Sequence, residues 1–132
     1  MRDESKQGPV RVGVDNIEIE RIAATLERWG ERFLHRIYTE GEQAYCRGRV
    51  PQLADRFAAK EAVMKALGTG RIGVGWREVE VYREPSGTPG VRLHGRAEKR
   101  AQLLGLAHFA ISLSHSRDQA VAFVVATQGE MQ

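Results

Sequence analysis

Pro51-Gln52-Leu53-Ala54-Asp55-Arg56-Phe57-Ala58-Ala59-Lys60-Glu61-Ala62-Val63-Met64-Lys65-Ala66-Leu67-Gly68 is the longest helical pattern in the chain. Proline suits a first helical turn and glycine a helix end, so a helix is expected over about residues 51–68. With successive residues about 100° apart, Leu53, Ala54, Phe57, Ala58 and Met64 gather on one face. Glu61 falls in the middle of that face and Lys65 beside it one turn on, with Lys60 about 100° away. A carboxylate in an apolar stripe is costly unless it is paired or bound to a cation. Two readings stand: a Glu61–Lys65 ion pair contributing about 0.3–0.5 kcal/mol, or a functional site.

Working outward, Val10, Val12 and Val14 alternate with Arg11, Gly13 and Asp15, the pattern of a half-buried strand. A helix is expected over residues 16–29, with Asp15 and Glu18 as its capping box. A short helical turn follows over 31–37, and Thr39 with Glu42 marks another helix start. Beyond Gly68–Gly75, Val79 and Val81 suggest a strand. Pro85-Ser86-Gly87-Thr88-Pro89-Gly90 then turns the chain into a second strand at 91–94. A helix over 96–106 and two β-rich segments, 109–114 and 120–126, complete the pattern. The fold class is α+β, a mostly antiparallel sheet with helices packed on it.

The chain has 132 residues, enough for one domain with a modest core. We read residues 1–9 as a polar tail without a signal peptide's apolar stretch, and residues 10–132 as a single domain. No run approaches the ~18 apolar residues of a membrane span, so a cytoplasmic location is expected. The one cysteine, Cys46, excludes an internal disulfide and reads as a structural thiol. Net charge is +3, with 16 Arg against 4 Lys. Arginine suits planar recognition of phosphate and carboxylate, but this excess is too small to demand nucleic acid, and aromatic content is only 7%.

Asp15 ends an apolar strand and precedes the expected first helix. There it either caps the helix or helps hold a hard cation against phosphate oxygens, since Mg²⁺ takes one or two carboxylates plus substrate oxygens and water. Asp15, Glu61 and Lys65 together suggest a metal–phosphate site. Gly68-Thr69-Gly70 either lets backbone approach a phosphate or simply ends the helix. His115, after Ser112-Leu113-Ser114 and near Arg117, is a turn residue or an anion contact. In the first helix, Ile19, Ile22, Leu26 and Trp29 form the expected core stripe. Arg21 and Arg28 share the opposite face with Ile17 and Ala24, and Arg32 and Arg36 extend it. That face suits an acidic helical partner; the plain alternative is a solvated surface salted by Glu20 and Glu27.

Gly13-Val14-Asp15-Asn16-Ile17-Glu18-Ile19-Glu20-Arg21-Ile22 resembles the N-terminal motif of the holo-acyl-carrier-protein synthases. Arg56-Phe57-Ala58-Ala59-Lys60-Glu61-Ala62, followed by Lys65-Ala66-Leu67-Gly68-Thr69-Gly70, is similar to their central signature. Ile111-Ser112-Leu113-Ser114-His115-Ser116 is similar to their late strand-and-His element. The likeness runs from about Val10 to Ala126 with the motifs in the family's order. It implies the 4′-phosphopantetheinyl transferase fold and Mg²⁺-dependent transfer of phosphopantetheine from coenzyme A to a serine of an acidic acyl carrier protein. It further implies that Asp15 and Glu61 hold the metal on the pyrophosphate, and that Lys65 faces the same phosphates. His115, with Gly68 and Thr69, then lines the nucleotide site. Glu61 is the first choice of side chain to accept the serine proton. Family members are generally homotrimers with active sites between subunits. Asn16 departs from the aliphatic residue usual after the motif aspartate. A non-catalytic coenzyme A or nucleotide-binding protein is the competing reading, since the same phosphate site would serve it.

Overall fold

In the computed structural model, which describes residues 10–70 and 72–129, the valine alternation runs further than its first five residues suggest. The strand β1 spans Val10–Glu18, with Arg11, Gly13, Asp15 and Ile17 on its inner face and Val10, Val12 and Val14 on its outer one. It pairs antiparallel with β5 (Gln119–Gln128) from Val10↔Thr127 to Glu18↔Gln119. That pairing keeps residues 16–18 extended, so the capping box expected at Asp15 does not form. The helix α1 (Ile19–Trp29) starts three residues later, with Glu18 at its N-cap and no side-chain cap. The polar tail expected at residues 1–9 lies outside the described residues.

The elements α2 (Glu31–Ile37), α3 (Glu40–Cys46) and α4 (Val50–Leu67) follow. Thr39 and Glu42 make the reciprocal capping box at α3 that the sequence suggests. A 3₁₀ turn at Trp76–Glu78 leads into β2 (Val79–Arg83), which pairs only with β3 (Pro89–Leu93). The helix α5 spans Gly95–Leu103, shorter than expected because the chain is already extended by Leu106, where β4 (Leu106–His115) begins. The architecture is α+β, with a three-stranded antiparallel sheet β1-β5-β4 and a separate β2–β3 hairpin.

One apolar stripe does not describe α4. Strands β1 and β5 lie on one side of it, while α1, α3, α5 and β2 pack around it. Leu53, Ala54, Ala58, Ala59, Ala62, Val63, Met64, Ala66 and Leu67 are all buried, and so are Asp55, Arg56 and Lys60. The least buried line is Phe57, Glu61 and Lys65, at i, i+4 spacing. Glu61 therefore stands at the open edge of α4 rather than within its apolar face.

Small residues bring the helix close to the sheet. Ala120, Ala122 and Ala126 supply most of the inner face of β5, opposite the alanines of α4. Gly13 is the tightest crossing, since a Cβ built there would lie 1.9 Å from the carbonyl oxygen of Ala62. Lys60 crosses the interior the other way. Its ammonium pairs with Glu42 Oε1 at 2.7 Å and donates to the carbonyls of Trp76 (3.0 Å) and Val79. Glu42 accepts in turn from the backbone N–H groups of Thr39 at 2.8 Å and Val81 at 2.7 Å. Burial pulls the Lys60 ammonium below its ordinary pKa against the attraction of Glu42. Burial likewise pushes the Cys46 thiol up to about 11, consistent with a structural cysteine.

Gly13→Ala forces β1 and α4 apart at a backbone-to-backbone contact. It is expected to lower unfolding free energy by about 3 kcal/mol, measured by urea denaturation.

Candidate active site

The Gly13 crossing sets Asp15, two residues along the same face of β1, beside the last turns of α4. Lys65 Nζ donates to Asp15 Oδ1 at 2.8 Å and to the Val14 carbonyl at 3.1 Å. The Asp15 hydrogen bond holds the Lys65 ammonium above its ordinary pKa, and the charges of Asp15 and Glu61 add to this. One ammonium thus answers two carboxylates, from β1 and α4, and the three expected site residues come together. The Lys65 side chain remains 55% exposed, so anions can reach it.

Beyond Lys65 the helix ends in a basic cradle. Gly68 takes the left-handed conformation (φ 76°), and the N–H groups of Gly68 and Thr69 turn back onto Lys65 and Met64 carbonyls. Arg11 Nε donates to Ala66 O at 2.6 Å and Arg100 Nε to Leu67 O at 2.9 Å. Two guanidinium groups therefore meet the negative end of the helix dipole.

His115 is not part of this cluster. It ends β4, two strand spacings, roughly 10 Å, from β1. Its Nδ1 pairs with Asp55, a buried carboxylate near the start of α4, at 2.9 Å. Next along α4, Arg56 reaches a cleft of about 290 Å³ lined by Tyr45, Glu80, Tyr82, Arg83 and Arg92. Its guanidinium lies 4.2 Å from the Tyr45 ring centroid and Nη1 donates to Gln52 O, while Nε and Nη2 are buried with no hydrogen-bond partner among the described residues. Buried cationic donors without partners are costly, and an anion in the cleft would satisfy them.

The arginines of α1 and α2 form a third surface. Trp29, expected in the core, is 47% exposed. It is the last residue of α1, where the chain turns at Gly30 (φ 56°), and its ring lies 5.1 Å from the Arg28 guanidinium and 5.7 Å from that of Arg32. Thr25, Trp29, Arg32, Phe33, His35 and Arg36 line a groove of about 740 Å³. Arg21 is exposed one turn before Thr25. Ile17, expected with the arginines, is instead buried on the inner face of β1, while Ile22 anchors α1 to the core.

The family model described as the 4′-phosphopantetheinyl transferase superfamily matches residues 11–124. The chain belongs to that superfamily. A holo-[acyl-carrier-protein] synthase from Herpetosiphon aurantiacus is 52% identical over 120 residues, covering 86% of this chain and 94% of that one. The holo-[acyl-carrier-protein] synthase structure from Neisseria meningitidis is 34% identical with a TM-score of 0.81, covering 88% of this chain and 96% of that one. The Helicobacter pylori enzyme, solved in complex with coenzyme A, is 28% identical with a TM-score of 0.79, covering 87% and 98%.

Among the described residues of this superfamily member, no cluster of three or more His, Cys, Asp or Glu forms a metal cage. Asp15 and Glu61 nevertheless suit a hard cation that keeps water and phosphate among its ligands, and Lys65 already sets a positive charge against both. The sequence did not single out Asp55, and it showed Arg56 only as the first residue of the central motif. Their signal was two charged residues on a helix otherwise rich in alanine.

Glu80, in the wall of the Arg56 cleft, gives a pH test. Burial pushes its carboxyl up, but hydrogen bonds from His94 and Thr39 and the charges of His94 and Arg92 outweigh it and hold Glu80 below its ordinary 4.5. A depressed carboxyl stabilises the fold above its unfolded-state pKa, and that contribution is lost as pH falls through the folded value. The stability gap between wild type and Glu80→Gln should be full near neutral pH and narrow as pH falls from the unfolded carboxyl value of about 4.5 through the lower folded one, as read from thermal melts across pH.

Proposed function

We propose that this chain transfers the 4′-phosphopantetheine group of coenzyme A to a serine of an acyl carrier protein, releasing adenosine 3′,5′-bisphosphate. The observation that carries the reading is the Asp15–Lys65–Glu61 cluster on the motifs shared with the synthases. The complex of the Helicobacter pylori relative with coenzyme A supports the nucleotide substrate. A cytoplasmic location accompanies the reading, and no described helix is long and apolar enough to cross a membrane.

In the reaction the serine oxygen attacks the β-phosphorus and gives up its proton, for which Glu61 is the first-choice side-chain acceptor. The bond from that phosphorus to the bridging oxygen breaks, and adenosine 3′,5′-bisphosphate departs with that oxygen. Asp15 and Glu61 would hold Mg²⁺, which when bound neutralises charge on the pyrophosphate oxygens. Lys65 leaves Asp15 to meet the phosphates, and its exposure permits that movement. The partnerless Arg56 donors, with Arg83 and Arg92 in the same cleft, suit the anionic nucleotide end of the substrate.

Two surfaces suit partners. The groove beside Trp29, with Arg21, Arg28, Arg32 and Arg36, suits an acidic carrier protein, because stacked guanidinium groups remain available to carboxylates. The outer face of the main sheet is apolar, with Val10 67%, Val12 58%, Val14 51%, Phe123 46% and Val121 38% exposed. Such a patch suits a second copy of the chain. His115 is two strands away from Asp15, so a homotrimer in which it completes a neighbour's site accounts for both observations.

Four sets of measurements test these assignments. Mass spectrometry of an apo-carrier protein with coenzyme A, Mg²⁺ and this enzyme should show the phosphopantetheine increment. Asp15→Ala and Glu61→Ala should each slow it on the order of 100-fold or more while the fold survives, and Lys65→Ala should weaken coenzyme A binding about tenfold. Near-normal turnover at limiting Mg²⁺ in either carboxylate variant would sink the metal assignment. Arg28→Glu with Arg32→Glu should raise KM for the carrier about tenfold at low salt, less at moderate salt, with coenzyme A binding unchanged in calorimetry. Phe123→Asp should shift the solution mass by light scattering from trimer to folded monomer and abolish transfer. An unchanged trimer would locate the interface elsewhere.

A further inference from the structure

Asp55 has no part in the mechanism above, yet it is a carboxylate with only 5% of its side chain exposed. Burying it on an alanine-rich helix is costly unless a partner compensates. That partner is His115, 60 residues away in sequence, whose Nδ1 lies 2.9 Å from Oδ2 and 3.0 Å from Oδ1. We propose that Asp55 is a positioning residue that fixes the tautomer and orientation of His115, so that Nε2 is presented to an anionic ligand. The proposal rests on the reading that His115 contacts the nucleotide end of coenzyme A.

An ionised carboxylate only accepts hydrogen bonds, so Nδ1 must carry its proton and donate. Nε2 is then the ring nitrogen left for a ligand, and 37% exposure of the His115 side chain keeps it reachable. A phosphate oxygen also only accepts, so Nε2 donates to it when the ring is protonated. Asp55 compensates the imidazolium charge from the other side, as partners behind ligating histidines do. Without Asp55 the ring is free to turn about its side-chain bonds and to change tautomer, and no carboxylate stands behind Nδ1 when Nε2 donates to the anion. The two ends of the pair come from different elements, α4 in the core and β4 at the sheet edge. The ring is therefore held by the body of the domain rather than by its own turn.

The test combines His115 side-chain ¹⁵N NMR with kinetics on Asp55→Ala, Asp55→Asn, His115→Ala and the Asp55→Ala/His115→Ala double variant. In the wild type, Nδ1 should be the protonated nitrogen of neutral His115. Asp55→Ala should give mixed tautomers and raise KM for coenzyme A about tenfold with kcat little changed. Asp55→Asn, whose carbonyl still accepts from Nδ1, should retain the tautomer and lie between the two in KM. The double variant should be no worse than His115→Ala alone. An unchanged tautomer in Asp55→Ala, or a KM effect that adds fully to that of His115→Ala, would overturn the proposal. If Asp55→Ala does not fold, the Asn variant decides: a lost Nδ1–H tautomer or wild-type KM overturns it. If wild-type protein modifies no carrier, the proposed activity has failed instead, and the NMR arm with calorimetric affinity for adenosine 3′,5′-bisphosphate still decides the role of Asp55.

Discussion

Lys60 and Glu42 hold opposite charges 2.7 Å apart with neither side chain exposed, and the placement of every site residue on α4 depends on that pair. Removing either partner would leave an uncompensated buried charge, a loss of about 3–5 kcal/mol. The pair also has directional content. Glu42 binds backbone at Thr39 and Val81, and Lys60 binds backbone at Trp76 and Val79, so α3, α4 and β2 are locked in one register. Because Glu61 follows Lys60 by about 100° of helix rotation, pinning Lys60 inward turns Glu61 to the open edge. An apolar pair of equal volume could fill the space but would not fix that rotation.

From this fixed helix three surfaces are served, two of them by neighbouring residues of one turn. Asp55 reaches the edge strand at His115, Arg56 reaches the hairpin cleft, and Glu61 with Lys65 meets β1 at Asp15. Alanine makes this arrangement physical. Small side chains on α4 and β5 let helix and sheet approach until Gly13 touches Ala62, and the remaining volume is given to a few long polar residues. The uncovered valines on the far side of the sheet are the counterpart of that economy, since one layer of helices covers only one face.

The central helix, the two closing strands and the α+β class were legible in the sequence, because each rests on local periodicity or a contiguous run. Asp15, Glu61 and Lys65 were instead drawn together by the likeness of their motifs to a family. What was misread depends on contacts distant in the chain. Asp15 and Glu18 satisfy a local capping rule, but pairing with β5, about a hundred residues on, keeps that segment extended. Periodicity assigns α4 one buried face, and no local rule announces that elements will surround it. Trp29 is apolar and in phase with Ile22, yet two arginines provide the better contact for its ring. Asp55 and Arg56 were readable only as anomalies, because their partners come from β4, α3 and the hairpin.

The same geometry links metal and nucleotide in the proposed reaction. Two carboxylates answered by one ammonium leave a net negative charge where a pyrophosphate must bind. If Lys65 moves to the phosphates, it uncovers Asp15, and the carboxylates then face both each other and the incoming anion. Like charges gathered around one site disfavour the complex unless a further cation enters with the substrate. In the proposed reaction Lys65 would therefore have two partners in turn, Asp15, with which it pairs at 2.8 Å, and the phosphates. Its exposure suits that exchange, because a buried ammonium such as Lys60 could not change partners without breaking the core. On that proposal the two lysines of one helix, five residues apart, would divide the work between a buried charge that sets the geometry and an exposed one that answers the substrate.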